Sequence, residues 1–305
     1  MRVLAALAVG LMVLVPAPVA AWGMEVHKWI TRLALDGLPP ELKPFFAEQR
    51  EYIGEHAADP DLWRVAELKS KFGDEEPNHF FEPASMGERL PLDAMPKTWQ
   101  ELVSRYGLER ANKIGRLPWR AEEMYGLLVA RFKEIGQPNG PPYALDNARF
   151  LAAVLAHYLE DAHQPFHATP DYDGQATGQR GIHSRFETTV IVRNLPAMRV
   201  APATVRPVGN IRDFIFATIN DSEALVPKVL AADRAAAAGK ASYDDVYYAA
   251  FWSDVRPLLD KRLSETASAV ASIIAQAWQE GGRPALPLKG APRSPAAIRR
   301  GRGAL

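Results

Sequence analysis

Three of the chain's seven histidines fall within eleven residues, in the run His157-Tyr-Leu-Glu-Asp161-Ala-His163-Gln-Pro-Phe-His167. His157 and Asp161 are four apart, so on a helix they project from one face, close enough to share a metal ion. The Asp161 side chain is short, which keeps its carboxylate near the helix end, where it could bridge two ions. Pro165 redirects the chain just past that end, and His167 can turn back toward the same region. A second pair repeats the spacing: His183 and Glu187, in Ile182-His-Ser-Arg-Phe-Glu187. One such pair alone is ordinarily a surface ion pair or a capped histidine. Two pairs with His167 between them, in a chain with no other histidine cluster, point to metal. There is no cysteine, so a metal site must be built from imidazole and carboxylate. That donor set suits zinc in an open catalytic site and leaves manganese or iron open.

The elements that must hold these residues read as helices. The periodicity predicts helices over Val26 to Leu38, Thr98 to Tyr106, Glu109 to Ile135, Asp146 to Ala162 and Ile211 to Ala232. It also predicts a long one from Tyr243 to Gln279, interrupted near Pro257. Only Thr188 to Arg193, a Thr-Thr-Val-Ile-Val-Arg run, is strand-like. Asp59 to Pro77 and Ala168 to Gly181 read as long loops of the kind found beside functional sites. With no internal repeat and no linker inside the body, the expectation is one all-α domain of many helices over residues 22–282.

The ends differ from this body. Met1-Arg2, an apolar run from Val3 to Val15 and the small residues up to Ala21 have the order of a signal peptide, residues 1–21. At thirteen residues the run is too short for a membrane span. The expectation is a product secreted or released to the periplasm, beginning at Trp22. Residues 283–305 carry Arg and Lys without an acid, several prolines and no periodicity, and read as a flexible basic tail. The chain as a whole holds 36 basic and 36 acidic groups. Seven of the basic ones, Arg2 and six in the tail, lie outside the body, which is therefore acidic by about seven. The basic excess that drives non-specific nucleic-acid binding is absent.

The order of motifs resembles the zinc-dependent bacterial phospholipase C family, which shares its fold with single-strand-specific zinc nucleases. The resemblance is carried by Trp22-Gly-Met-Glu-Val-His27, His56-Ala-Ala-Asp59, Asn78-His79-Phe-Phe-Glu-Pro83, the His157 to His167 block and Ile182-His183-Ser-Arg-Phe-Glu187. The His157 block is the specific part. The resemblance implies a nearly all-helical fold with three zinc ions in a cleft. The first ion would take Asp59, His79, His157 and Asp161. The second would take His167, His183 and Glu187, and the third His27, bridging Asp161 and the freed amino group and carbonyl oxygen of Trp22. Because zinc displaces a proton from an α-amino group but not from an amide, the third site would be completed only by cleavage.

The activity so implied is hydrolysis of a phosphoric ester. Hydroxide formed on the zinc cluster near neutral pH would attack phosphorus in line, with Asp59 as ligand and proton acceptor. The expected substrate is a phosphodiester, a phospholipid headgroup with transient contact to a membrane surface, and the protein is expected to act as a monomer. Single-stranded nucleic acid or a nucleotide is the alternative substrate, with Phe80 or Phe81 stacking a base. A metal-binding module that no longer catalyses is the alternative outside enzymes. Glu187 is phospholipase-like, whereas the His163-Gln-Pro sequence is nuclease-like. Glu160 stands where relatives have glycine, and Pro60 and Glu76 stand where two rings of a choline site would be, which speaks against a choline headgroup. The spacing from Asp59 to His79 is longer than in either branch, which leaves Asp61 as the alternative ligand.

Overall fold

A computed structural model describes residues 23–286, and among these the chain is all helical, with no strand. The segment expected as a signal peptide, Trp22 and most of the expected basic tail lie outside the described residues. The helices in chain order are α1 (Met24–Asp36), α2 (Lys43–Ala47), α3 (Arg50–His56), α4 (Asp59–Leu62), α5 (Ala66–Phe72), α6 (Trp99–Tyr106) and α7 (Leu108–Ile114). There follow α8 (Leu117–Ile135), α9 (Ala144–Ala162), α10 (Ile182–Ser184), α11 (Val190–Asn194), α12 (Ile211–Glu223), α13 (Val226–Ala237) and α14 (Asp245–Glu280). Among the described residues no helix is long and apolar enough to cross a membrane.

The centre of the fold is α9. It packs against α8, α14, α1, α3 and α12, and from Ala152 to Ala162 every residue is buried. A helix enclosed on all sides needs apolar or paired residues all round. The upstream half supplies Ala148, Ala152 and Ala153, small enough for close approach. Its one early cation, Arg149, is satisfied by the Phe45 carbonyl at 2.9 Å and by Glu48 at 2.6 Å. The polar residues His157, Glu160 and Asp161 all lie in its last two turns, so the helix delivers chemistry at its C-terminal end. The partial negative charge of that end favours a cation.

Several boundaries differ from the periodicity. The segment expected as one helix from Glu109 to Ile135 is two, α7 and α8, because Gly115 turns the chain with φ 101°. A Cβ at Gly115 would lie 2.1 Å from the Phe80 carbonyl oxygen, so the turn also lets the chain pass directly over the cleft residue Phe80. The Ile211 to Ala232 segment is likewise divided, α13 restarting with Pro227 in its first turn, where the missing N–H costs nothing. Conversely, Pro257 does not interrupt α14, which runs through it for 36 residues. Phe251, Val255, Leu259 and Leu263 on either side are all buried, and their packing outweighs one lost backbone hydrogen bond. The expected loop from Asp59 to Pro77 contains α4 and α5.

The strand-like run at Thr188 is the clearest correction. Arg185–Thr189 forms a π-helical turn that continues into α11. As helix, Val190 and Ile191 are fully buried while Val192 faces outward. Single π-turns inside helices recur at functional sites, and this one carries Glu187. Gly23 lies against it, a Cβ there being only 2.4 Å from the Thr188 hydroxyl, so the start of α1 and the π-turn are in direct contact. After α11 an extended strap, residues 199–209, runs along α14. Side chains four residues apart on that helix accept its amides: Asp260 from Arg199, Ser264 from Ala201, Ser268 from Thr204, Ser272 from Arg206 and Gln276 from Val208.

Candidate metal centre

Several elements converge on the C-terminal end of α9. From α1 comes His27, from the short helix α4 Asp61, from the turn after Asn78 His79, and from α9 itself His157 and Asp161. A 3₁₀ turn at Pro165–His167 brings His167 back, as the proline predicted, and α10 with the π-turn supplies His183 and Glu187. All of these side chains are 6% exposed or less.

Asp161 is the hub. Its Oδ2 lies 3.0 Å from His79 Nδ1 and 3.2 Å from His157 Nε2, while Oδ1 lies 3.5 Å from both His27 Nε2 and His167 Nδ1. His79 Nδ1 and His157 Nε2 are themselves 3.0 Å apart. The two oxygens thus face different sets of imidazoles, the geometry expected of a bridging carboxylate. His79, His157 and Asp161 form one compact donor group, and His167, His183 and Glu187 form another, with His183 Nε2 2.9 Å from Glu187 Oε2. His27, Asp61 and His157 form a third.

Buried polar atoms are normally hydrogen-bonded. Here His27 Nε2, Asp61 Oδ2, His79 Nε2, Asp161 Oδ1 and Glu187 Oε1 are buried with no hydrogen-bond partner. Leaving so many donor atoms unsatisfied in one place is costly for a fold and natural for a cation site, so the residues present fit a metal. The outward nitrogens, by contrast, are held. His157 Nδ1–H donates to the Ala57 carbonyl at 2.8 Å and His27 Nδ1 meets Glu160 Oε2 at 2.5 Å, while His167 Nδ1, the nitrogen nearer Asp161, donates to the His79 carbonyl at 2.5 Å and leaves Nε2 as its free nitrogen. Gln164 donates to Glu187 Oε2 at 2.8 Å. Such contacts orient a ligand and raise its basicity.

Burial shifts four of the imidazoles the way a ligand role needs, while at His157 burial is outweighed by the Asp161 carboxylate beside it, which raises that ring instead. Burial holds the imidazoles of His27, His79 and His167 below their ordinary value, and that of His183 down to about 4, so all four are neutral at pH 7 and keep a lone pair. Burial also opposes the charge on Asp161, yet His157 and His167 beside it hold its carboxyl well below the usual range. Burial pushes Glu187 well above it.

Of the residues singled out in the sequence, the structure brings together His27, His79, His157, Asp161, His167, His183 and Glu187. Asp59 is not among them. Its carboxylate turns outward to His56 Nδ1 at 2.6 Å, in a pair whose side chains are 33% and 23% exposed. Two residues on, α4 turns Asp61 inward, 3% exposed and with Oδ1 3.8 Å from His79 Nδ1. Asp61 replaces Asp59 as the candidate ligand and proton acceptor. Trp22 lies outside the described residues. His163 is no ligand: its ring bonds the Leu159 carbonyl, and burial next to Arg262 lowers it to about 3. Glu25 is exposed and paired with Lys28, Phe81 is core, and Arg64 and Arg185 are ion-paired to Asp61 and Asp233. Glu160 has no sequence signal as a partner of His27, from which it is 133 residues distant.

The cluster opens into a cleft of about 410 Å³, with His79, His167 and His183 in its wall beside Phe80, Phe166 and Tyr172. Asp74, Glu76, Glu82 and Glu109 also line it, against two cations, Arg64 and Lys113. Neither a family model nor a curated protein matches the chain.

Proposed function

We propose that the chain is an exported, zinc-dependent phosphoric ester hydrolase that acts on phosphodiesters in the manner of a phospholipase C. The observation that carries this reading is the set of unpartnered buried donor atoms gathered around Asp161 at the wall of an open cleft. Divalent cations held there supply Lewis acidity and the means to deprotonate water near neutral pH. The chain's own residues do the rest. Asp161 presents its two oxygens to different imidazoles and would share ions held on either side. Asp61, buried beside His79, faces the cluster from α4 and is placed to hold an ion or take a proton. Arg64, anchored by Asp61 at 2.8 Å, sets a guanidinium in the cleft wall opposite an anionic phosphoryl group.

The four carboxylates around the cleft favour a substrate with one phosphodiester over a polyanionic strand. The nuclease reading draws on the rings of Phe80 and Tyr172, which stand where a base could stack. The test is to give the mature protein phospholipid vesicles, single-stranded DNA and a chromogenic phosphodiester, with and without a zinc chelator. Chelator-sensitive cleavage of lipid and chromogen supports the proposal, and cleavage of DNA alone moves the assignment to a nuclease. Zinc uptake with every ester intact leaves a metal-binding module and refutes the hydrolase.

A further inference from the structure

Glu160 is an unusual residue to find where it is. It is fully buried in the last turn of α9, one position before the hub carboxylate, and a buried carboxylate costs several kcal/mol unless its oxygens are matched. Both oxygens have named contacts across the core on α1. Thr31 Oγ1 donates to Oε1 at 2.7 Å, and Oε2 sits 2.5 Å from His27 Nδ1. His27 and Thr31 are one helical turn apart, so they present a hydroxyl and an imidazole to one carboxylate from the same face. On the far side of the ring, Nε2 is buried without a hydrogen-bond partner and points to Asp161 Oδ1 at 3.5 Å. The ring is also stacked on His157, with centroids 4.1 Å apart, which fixes its plane, and Glu160 at Nδ1 selects which edge faces the cluster.

We infer that Glu160 is a positioning residue that keeps the proton of His27 on Nδ1 and so presents a bare Nε2 lone pair to a cation shared with Asp161. Stacking holds the plane and the Glu160 contact holds the edge, and the opposite tautomer would put a hydrogen on the nitrogen that faces the cluster. Thr31 orients the carboxylate by occupying its other oxygen. The adjacent carboxylates Glu160 and Asp161 thus divide the work, one gripping the outer edge of His27 and the other sharing the ion at its inner edge. This rests on the metal-centre reading above.

The test uses zinc as the probe, competed against a chromophoric chelator, on the wild type, Glu160→Gln and Thr31→Val. Glutamine keeps the shape and can still hydrogen-bond both partners, but it lacks the charge. The expected result is that E160Q binds one zinc about 10–100-fold more weakly while the other ions keep their affinity. T31V should weaken the same ion by less and lower the melting temperature of the chelator-treated protein, because Glu160 Oε1 loses its donor, whereas E160Q, which keeps both contacts, should leave that temperature unchanged. In the zinc-loaded wild type, long-range proton–nitrogen NMR should place the His27 proton on Nδ1. Wild-type affinity for every zinc in both variants, or a proton on Nε2, overturns the role of Glu160 and leaves the metal centre standing. A wild type that takes up no zinc overturns the metal centre itself. Should E160Q not fold, T31V and the wild-type spectrum decide.

Discussion

Asp59 and Asp61, two residues apart, contrast a surface ion pair with a proposed cation ligand, and isosteric amides test the distinction. Asp61 is 3% exposed, with one oxygen 3.8 Å from His79 Nδ1 and the other unpartnered. Two unit charges about 4 Å apart interact by about 4 kcal/mol at an effective dielectric near 20, and a dication raises this. Removing the charge by Asp61→Asn should therefore weaken the facing ion about 10³-fold, at about 1.4 kcal/mol per tenfold. Asp59 pairs with His56 across a partly solvated surface, and such pairs contribute roughly 1 kcal/mol or less. Asp59→Asn should change zinc affinity by less than about fivefold. Both variants would be followed by zinc competition and by hydrolysis of bis(p-nitrophenyl) phosphate. A larger loss in D59N than in D61N would refute the placement of Asp61 in the cluster.

Other outcomes follow from the same geometry. Chelation should lower the melting temperature, because a cation present at about a thousand times its Kd stabilises the folded state by about 4 kcal/mol per site; an unchanged melting curve would count against bound cations. Gly115→Ala forces a Cβ against the Phe80 carbonyl at a positive φ, and should cost about 2–3 kcal/mol in urea denaturation while disturbing the cleft wall. Asp233→Ala should cost about 3–5 kcal/mol by the same measurement, since it strands the buried guanidinium of Arg185. Because Arg185 lies between His183 and Glu187, D233A should also weaken zinc binding by the competition assay.

The sequence alone determined the helical class and most of the donors. His157–Asp161 and His183–Glu187 are legible because spacing four on a helix is a local property, and Pro165 announces the return of His167. Helix ends were less legible. The break at Gly115 and the continuity through Pro257 depend on whether surrounding apolar contacts outweigh one backbone hydrogen bond, which no local window reports. The Thr188 run failed for the same reason, since β-branched residues suit a strand in isolation and a buried helix in this core. Only the tertiary structure chose Asp61 over Asp59, because that choice is the direction a four-residue helix faces. Only it could pair Glu160 with His27, or set four imidazoles around the two oxygens of Asp161. Residue types and local spacing are written along the chain, whereas the distances that make them a site arise from packing between segments far apart in sequence.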